Sequence, residues 1–160
     1  MATVYIGVGS NQEPRRHVRS ALAALAARFG PLRVSPVYAG AAVGGDGPEY
    51  LNLVVGCESE EPPEAVAAAL KAIERAHGRG ATQALCPLDL DLLLYGDLVL
   101  ETPTLRLPRP DIDRYAFVLR PLAELAPQAR HPLSGKSFAE LWADFPAADQ
   151  PLQSVEIELP

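Results

Sequence analysis

The chain has 160 residues, with 14 Lys plus Arg against 20 Asp plus Glu and a formal net charge of −6. That length fits one domain spanning residues 1–160, and 48% apolar with 21% charged residues is a globular composition that excludes an intrinsically disordered chain. The acidic balance argues against a sequence-independent nucleic-acid binder, which needs a basic stripe to displace counterions from phosphate. A small anionic substrate stays open, because one metal ion reverses the local field.

No apolar run approaches the ~20 residues of a membrane span. Thr3-Val4-Tyr5-Ile6 follows the start without a basic or apolar leader pattern. Cys57 and Cys86 do not make a disulfide framework and read as small, partly buried hydrophobes. The expectation is a reduced, cytoplasmic protein without membrane or nucleic-acid partners.

In chain order, Thr3 to Gly9 is short, β-branched and closed by glycines, so it predicts a buried strand. Pro14 suits a first helical position, and Val18, Leu22 and Leu25 give the helix to Arg28 one apolar stripe before Gly30-Pro31 stops it. Leu32 to Tyr38 predicts a second strand. Ala39 to Pro48, with four glycines and no period, predicts a loop. Tyr50 to Cys57 predicts a third strand with Tyr50, Asn52 and Val54 on one face and Leu51, Leu53 and Val55 on the other.

Pro62-Pro63 open a second helix with Val66, Ala69, Leu70 and Ile73 as its stripe and Gly78 as its stop. Gly80 to Pro87 is irregular, and Leu88 to Tyr95 predicts a fourth strand that turns through Gly96-Asp97 towards Leu98-Val99-Leu100. The order strand, helix, strand, strand, helix, strand is that of an α+β, ferredoxin-like βαββαβ core: a mostly antiparallel sheet with helices packed on it. C-terminal additions follow. Leu105 to Leu107 predicts a strand, Tyr115 to Leu125 a helix despite Pro121, and Ser137 to Phe145 a helix with a Ser137/Glu140 capping box. Val155 to Leu159 alternates as a strand does, or frays as a terminus.

Asp89-Leu90-Asp91 carries the first chemical signal. Positions two apart in a strand share a face, so both carboxylates point one way while Leu88, Leu90 and Leu92 enter the core. Such a pair suits Mg²⁺, which takes carboxylate oxygens plus substrate phosphates, or else is the solvent face of a half-buried strand. The glycines of Gly7-Val8-Gly9-Ser10-Asn11 either let a ligand come close or make a tight strand-to-helix turn. Asn52, beside Tyr50 on one face, offers both a donor and an acceptor, which is what an amide-like heterocycle edge requires.

Together these segments resemble the 6-hydroxymethyl-7,8-dihydropterin pyrophosphokinase family of folate biosynthesis. The likeness runs through Tyr5-Ile6-Gly7-Val8-Gly9-Ser10-Asn11, Ser35-Pro36-Val37-Tyr38, Pro48-Glu49-Tyr50-Leu51-Asn52, Ile73-Glu74 with Gly78-Arg79, and the run Leu88 to Gly96. It continues with Leu107-Pro108, Ala116-Phe117-Val118-Leu119 and Pro121 to Pro127, in order over residues 3 to 127.

The resemblance implies transfer of the β,γ-diphosphate of ATP to the pterin hydroxymethyl group, leaving AMP. It implies two Mg²⁺ ions on Asp89 and Asp91, with Arg79 as the cation nearest the catalytic loop. Val43, Gly44, Tyr50, Asn52 and Phe117 would hold the pterin. Lys71, Glu74, Leu92, Arg106, Arg109 and Arg114 would hold the nucleotide. Pterin and ATP are then the partners, and a monomer or weak homodimer is expected.

The resemblance breaks in the catalytic loop and at two further positions. The family's Arg-Trp-Gly-Pro-Arg loop is replaced by the shorter stretch Gly80 to Pro87, which holds no arginine or tryptophan, and Cys86 stands where its last Arg belongs. Arg109 replaces the family's His, and Tyr115 replaces an Arg, with Arg114 beside it. A positioned Arg at a transferring phosphoryl group is worth ~10³–10⁵ in rate. The alternatives are therefore a diverged member that binds pterin or nucleotide without efficient transfer or acts in another pathway, and a non-catalytic interaction module.

Overall fold

The computed structural model describes residues 1–78 and 85–160. Its elements are β1 (Ala2–Ser10), α1 (Pro14–Phe29), β2 (Arg33–Val34), β3 (Val37–Gly40), β4 (Tyr50–Ser59), α2 (Pro63–Ala76) and β5 (Asp89–Tyr95). There follow β6 (Leu100–Glu101), β7 (Arg106–Leu107), α3 (Asp111–Arg114), α4 (Ala116–Leu125), α5 (Phe138–Ala143) and β8 (Gln153–Val155). Arg79 and most of the stretch Gly80 to Pro87 lie outside the described residues.

The sheet runs β5-β1-β4-β3-β8, with β2 also on β4, and every pairing is antiparallel. With β2 and β3 counted as one broken strand, this is the ferredoxin-like order. Pro36 causes the break in the single strand expected over 32–38, because it has no N–H to give a ladder. Ser35 bridges the gap: its N–H donates to Val54 O and its hydroxyl accepts the Val54 N–H, both at 2.9 Å.

Helices cover both faces of the sheet. Val18, Leu22 and Leu25 of α1 and Val66 and Leu70 of α2 pack on Val4, Ile6, Val8, Leu53, Val55, Leu88, Leu90 and Leu92. On the other face, Val118, Leu119 and Leu122 of α4 and Phe138 of α5 pack on Val54, Leu93 and Leu94. The second face explains the unbroken Leu92-Leu93-Leu94 run. The register slips between Tyr5 and Ile6, which pair with Leu94 and Leu92, so Leu93 is the extra residue of a bulge. After it the alternation reverses, and Leu94 shares the α4 face with Leu93 while Tyr95 packs on the first face.

The C-terminal additions are shorter than expected. The strand anticipated from Leu98 is only Leu100–Glu101, paired with β7, and the terminal strand is Gln153–Val155, paired with β3. The Ser137/Glu140 capping box is present at α5. No helix among the described residues is long and apolar enough to cross a membrane.

Candidate active site

Strand β1, flanked by β5 and β4, creates the site by what it lacks. Register sets Gly9 between Asp89 on β5 and Asn52 on β4, and Gly7 between Asp91 and Val54. Cross-strand partners project to the same face. Two carboxylates therefore look across a strip of bare backbone towards the buried amide of Asn52, two strand spacings or about 10 Å away. A Cβ on Gly9 would lie 2.6 Å from Asn52 Oδ1, whereas one on Gly7 would make ordinary contact with Leu93. The close approach is thus a requirement at Gly9.

A cavity of about 740 Å³ opens over this floor, within the usual range for small-molecule sites. It brings together Val43, Tyr50, Asn52, Asp89, Asp91, Arg109 and Phe117 of the residues singled out in the sequence. Asn11, Ala41, Ala42, Asp46, Asp111 and Tyr115 also line it. Gly44 sits beside it, in the turn closed by Gly45 N–H to Ala42 O at 2.8 Å, and its φ of 85° suits a residue without a side chain.

The other candidate nucleotide residues stand apart from this lining. Leu92 is in the core on the opposite face, packed with α1 and α2 residues. Glu74 is buried, and its Oε2 accepts the Leu90 N–H at 2.7 Å, satisfying the outer edge of β5. Lys71 reaches Glu74 Oε1 at 3.2 Å and adds positive charge near Asp91. Arg106 and Arg114 have exposed side chains on β7 and α3.

The two aspartates are crowded. Burial first, and then the adjoining Asp89 carboxylate, push the Asp91 carboxyl up to about 7, opposed by Arg109. Arg109 Nη2 lies 3.4 Å from Asp91 Oδ1 and its Nε lies 3.3 Å from Asp111 Oδ2, while its backbone N–H donates to Leu93 O at 3.0 Å. The guanidinium is thus engaged by the acidic floor itself. Two hard oxygen donors side by side fit a magnesium ion that draws its remaining ligands from phosphates and water. Among the described residues no set of three or more His, Cys, Asp or Glu is arranged for a metal.

Aromatic rings form one wall. Phe117 opens α4 and stacks on Tyr115, with centroids 5.0 Å apart and planes 18° from parallel. The α3–α4 junction is pinned by Gln150, whose Oε1 accepts the Ala116 N–H at 2.9 Å and whose Nε2 donates to Arg114 O at 3.1 Å. Asn11 performs the same service opposite. Its Oδ1 accepts the Cys86 N–H at 2.6 Å and its Nδ2 donates to Pro48 O at 3.4 Å, tying the β1–α1 turn to the approach to β5 and to the loop before β4.

Sequence reasoning passed over Asp46, Asp111 and Gln150 and took Tyr115 only as a missing Arg. Asn11 did carry a signal, since it closes the glycine motif at the end of the first strand.

A sequence model of the family described as 7,8-dihydro-6-hydroxymethylpterin-pyrophosphokinase (HPPK) matches residues 5–127, which hold every cavity-lining residue. The chain belongs to this family. Relatives named 2-amino-4-hydroxy-6-hydroxymethyldihydropteridine pyrophosphokinase agree with that placement. The one from Pseudomonas aeruginosa is 39% identical over 150 residues, covering 89% of this chain and 91% of the relative. The one from Aquifex aeolicus is 32% identical over 144 residues, covering 88% and 90%.

Among solved structures, wild-type HPPK-DHPS of Plasmodium falciparum with pteroate superposes with a TM-score of 0.73 at 11% identity, covering 89% of this chain and 42% of that one. This HPPK-family chain spans less than half of that longer protein, and the likeness to it is one of fold.

Proposed function

We propose that this chain transfers the β,γ-diphosphate of ATP to the hydroxymethyl group of 6-hydroxymethyl-7,8-dihydropterin and releases AMP. The observation that carries the reading is the glycine-cleared floor, with Asp89 and Asp91 at one side and Asn52 at the other under a single cavity. Membership of the HPPK family and relatives of similar length with that name support it.

In this reading the pterin lies over Gly9, its edge paired with the donor and acceptor of the Asn52 amide and its face against Phe117 and Tyr50. The Tyr115 stack holds the Phe117 ring in place. The phosphates lie over Asp89 and Asp91, which would hold Mg²⁺. When bound, the ion supplies charge neutralisation along the phosphate chain. The pterin hydroxymethyl oxygen then forms a bond to the β-phosphorus and gives up its proton to solvent, while the bond from that phosphorus to the α,β-bridging oxygen breaks and AMP leaves. Such a transfer depends on positioning and electrostatics more than on covalent help. Among the described residues Arg109, held at the cavity wall by Asp91 and Asp111, is the arginine best placed to meet the phosphates.

A second reading has support in the Arg109–Asp91 pair, which sets a cation of the chain on the Asp91 carboxylate: the chain binds pterin and nucleotide but transfers diphosphate inefficiently. Purified protein with ATP, Mg²⁺ and the dihydropterin decides between them. The proposed function predicts AMP release that requires all three components and is lost in Asp89→Ala. Binding of both ligands by calorimetry without AMP release would establish the second reading instead.

A further inference from the structure

Away from the cavity, on the α1/α2 face of the sheet, the first turn of α1 and the end of α2 bring two imidazoles together. His17 and His77 have ring centroids 6.2 Å apart and planes at 68°. His17 is only 7% exposed, and its Nδ1 lies 2.5 Å from Gln12 O. His77 Nδ1 lies 2.8 Å from Ile73 O, and its Nε2 lies 2.8 Å from Ser20 Oγ on α1.

A carbonyl oxygen only accepts, so each Nδ1 carries a proton, and in the neutral ring the lone pair is on Nε2. In that form of His77 its Nε2 accepts the Ser20 hydroxyl. Among the described residues, none hydrogen-bonds the Nε2 of His17.

We infer that His17 and His77 form a binding site for one transition-metal ion of the zinc class, through their Nε2 atoms. Three observations converge on it. Imidazole nitrogen suits zinc-class ions and not magnesium, so the site is chemically distinct from Asp89 and Asp91. Backbone carbonyls hold both Nδ1–H groups, the second-shell arrangement that aims an imidazole at a metal. The rings are also near the required spacing. Metal–nitrogen bonds of 2.0–2.1 Å at a tetrahedral angle place two centroids about 5 Å apart, so the rings must close by ~1 Å and both Nε2 atoms must turn to the ion, that of His77 leaving Ser20. Water would fill the remaining positions, and the ion would link α1 to α2.

The test is cobalt titration of the full chain with Mg²⁺ in excess to occupy the carboxylates, followed by NMR of the histidine ring protons. The chain has three histidines. His131 is an internal control, because its Nδ1 accepts the Leu133 and Ser134 N–H groups and its Nε2 faces Asp113. One saturable Co²⁺ should perturb His17 and His77 and spare His131, with binding at least tenfold weaker in His17→Gln and in His77→Gln.

His77→Gln alters a half-buried residue at a helix end and keeps the test valid if the buried His17 variant does not fold. Ser20→Ala releases the Nε2 of His77 and should bind Co²⁺ at least as tightly as the parent. Affinity unchanged in His77→Gln, weaker binding in Ser20→Ala, or no saturable binding up to millimolar Co²⁺ would each overturn the inference.

Discussion

Asp91 Oδ1 and Arg109 Nη2 stand 3.4 Å apart at the edge of the cavity, so a cation of the chain itself lies beside the carboxylates assigned to the divalent ion. Arg109 is held there from two sides, by Asp111 and by its own N–H on Leu93 O. Under the proposed function it would oppose a divalent cation in the resting protein and offer positive charge to phosphates once they arrive. Arg109→Gln should therefore move two measurements in opposite directions. Mn²⁺ affinity without nucleotide should rise about tenfold, equivalent to ~1.4 kcal/mol of relieved like-charge repulsion, while kcat falls by one to three orders of magnitude. A variant that loses both together would make Arg109 a structural support only.

Gly9 separates Asp89 from Asn52, and a methyl group there would press on the Asn52 amide at 2.6 Å. Asn52 is buried at 8% exposure and has little room to move. Gly9→Ala should raise KM for the pterin about tenfold with little change in KM for ATP, and the melting temperature should fall, since the clash must displace a buried side chain. An unchanged pterin KM would remove Asn52 from the pterin site.

Asn11 accepts the buried Cys86 N–H. Asn11→Ala leaves that donor without this acceptor, a change that costs about 1–3 kcal/mol. Urea unfolding should register that loss, and a midpoint unaltered from the parent would contradict the tie.

The capping box of α5 gives a pH signature. The Ser137 backbone N–H, followed by its hydroxyl, holds the Glu140 carboxyl below its ordinary value of 4.5. A carboxylate depressed in the folded state adds stability above its unfolded value and loses it as pH falls through the folded one. Melting temperatures from pH 6 to pH 3 should fall further in the parent than in Glu140→Gln, and parallel curves would show that Glu140 contributes nothing through its charge.

The strand order and the composition of the site were legible because Asp89, Asp91, Tyr50 and Asn52 sit at period-two positions that fix their faces. Helix ends were legible for similar local reasons, as at Pro14, Gly30 and the Ser137/Glu140 box. The Leu93 bulge was not, since a run of leucines hides a parity change that only the pairing with Tyr5 reveals. The same run concealed the second covered face. Ser35-Pro36 marked the broken strand, but the repair by the Ser35 hydroxyl depends on Val54, a partner distant in sequence. Gln150 and Asp111 reach the site through tertiary contacts that no local pattern encodes. Leu92 was assigned to the nucleotide, yet its parity with Leu88 and Leu90 already directed it into the core.

The most direct test of the central claim is a ³¹P NMR spectrum of the products from ATP, Mg²⁺, dihydropterin and the purified chain. The account predicts AMP and a pterin diphosphate with two coupled phosphorus signals, formed in equal amounts and absent with Asp89→Ala. Formation of ADP with a pterin monophosphate, or ATP left intact while both ligands bind, would contradict it.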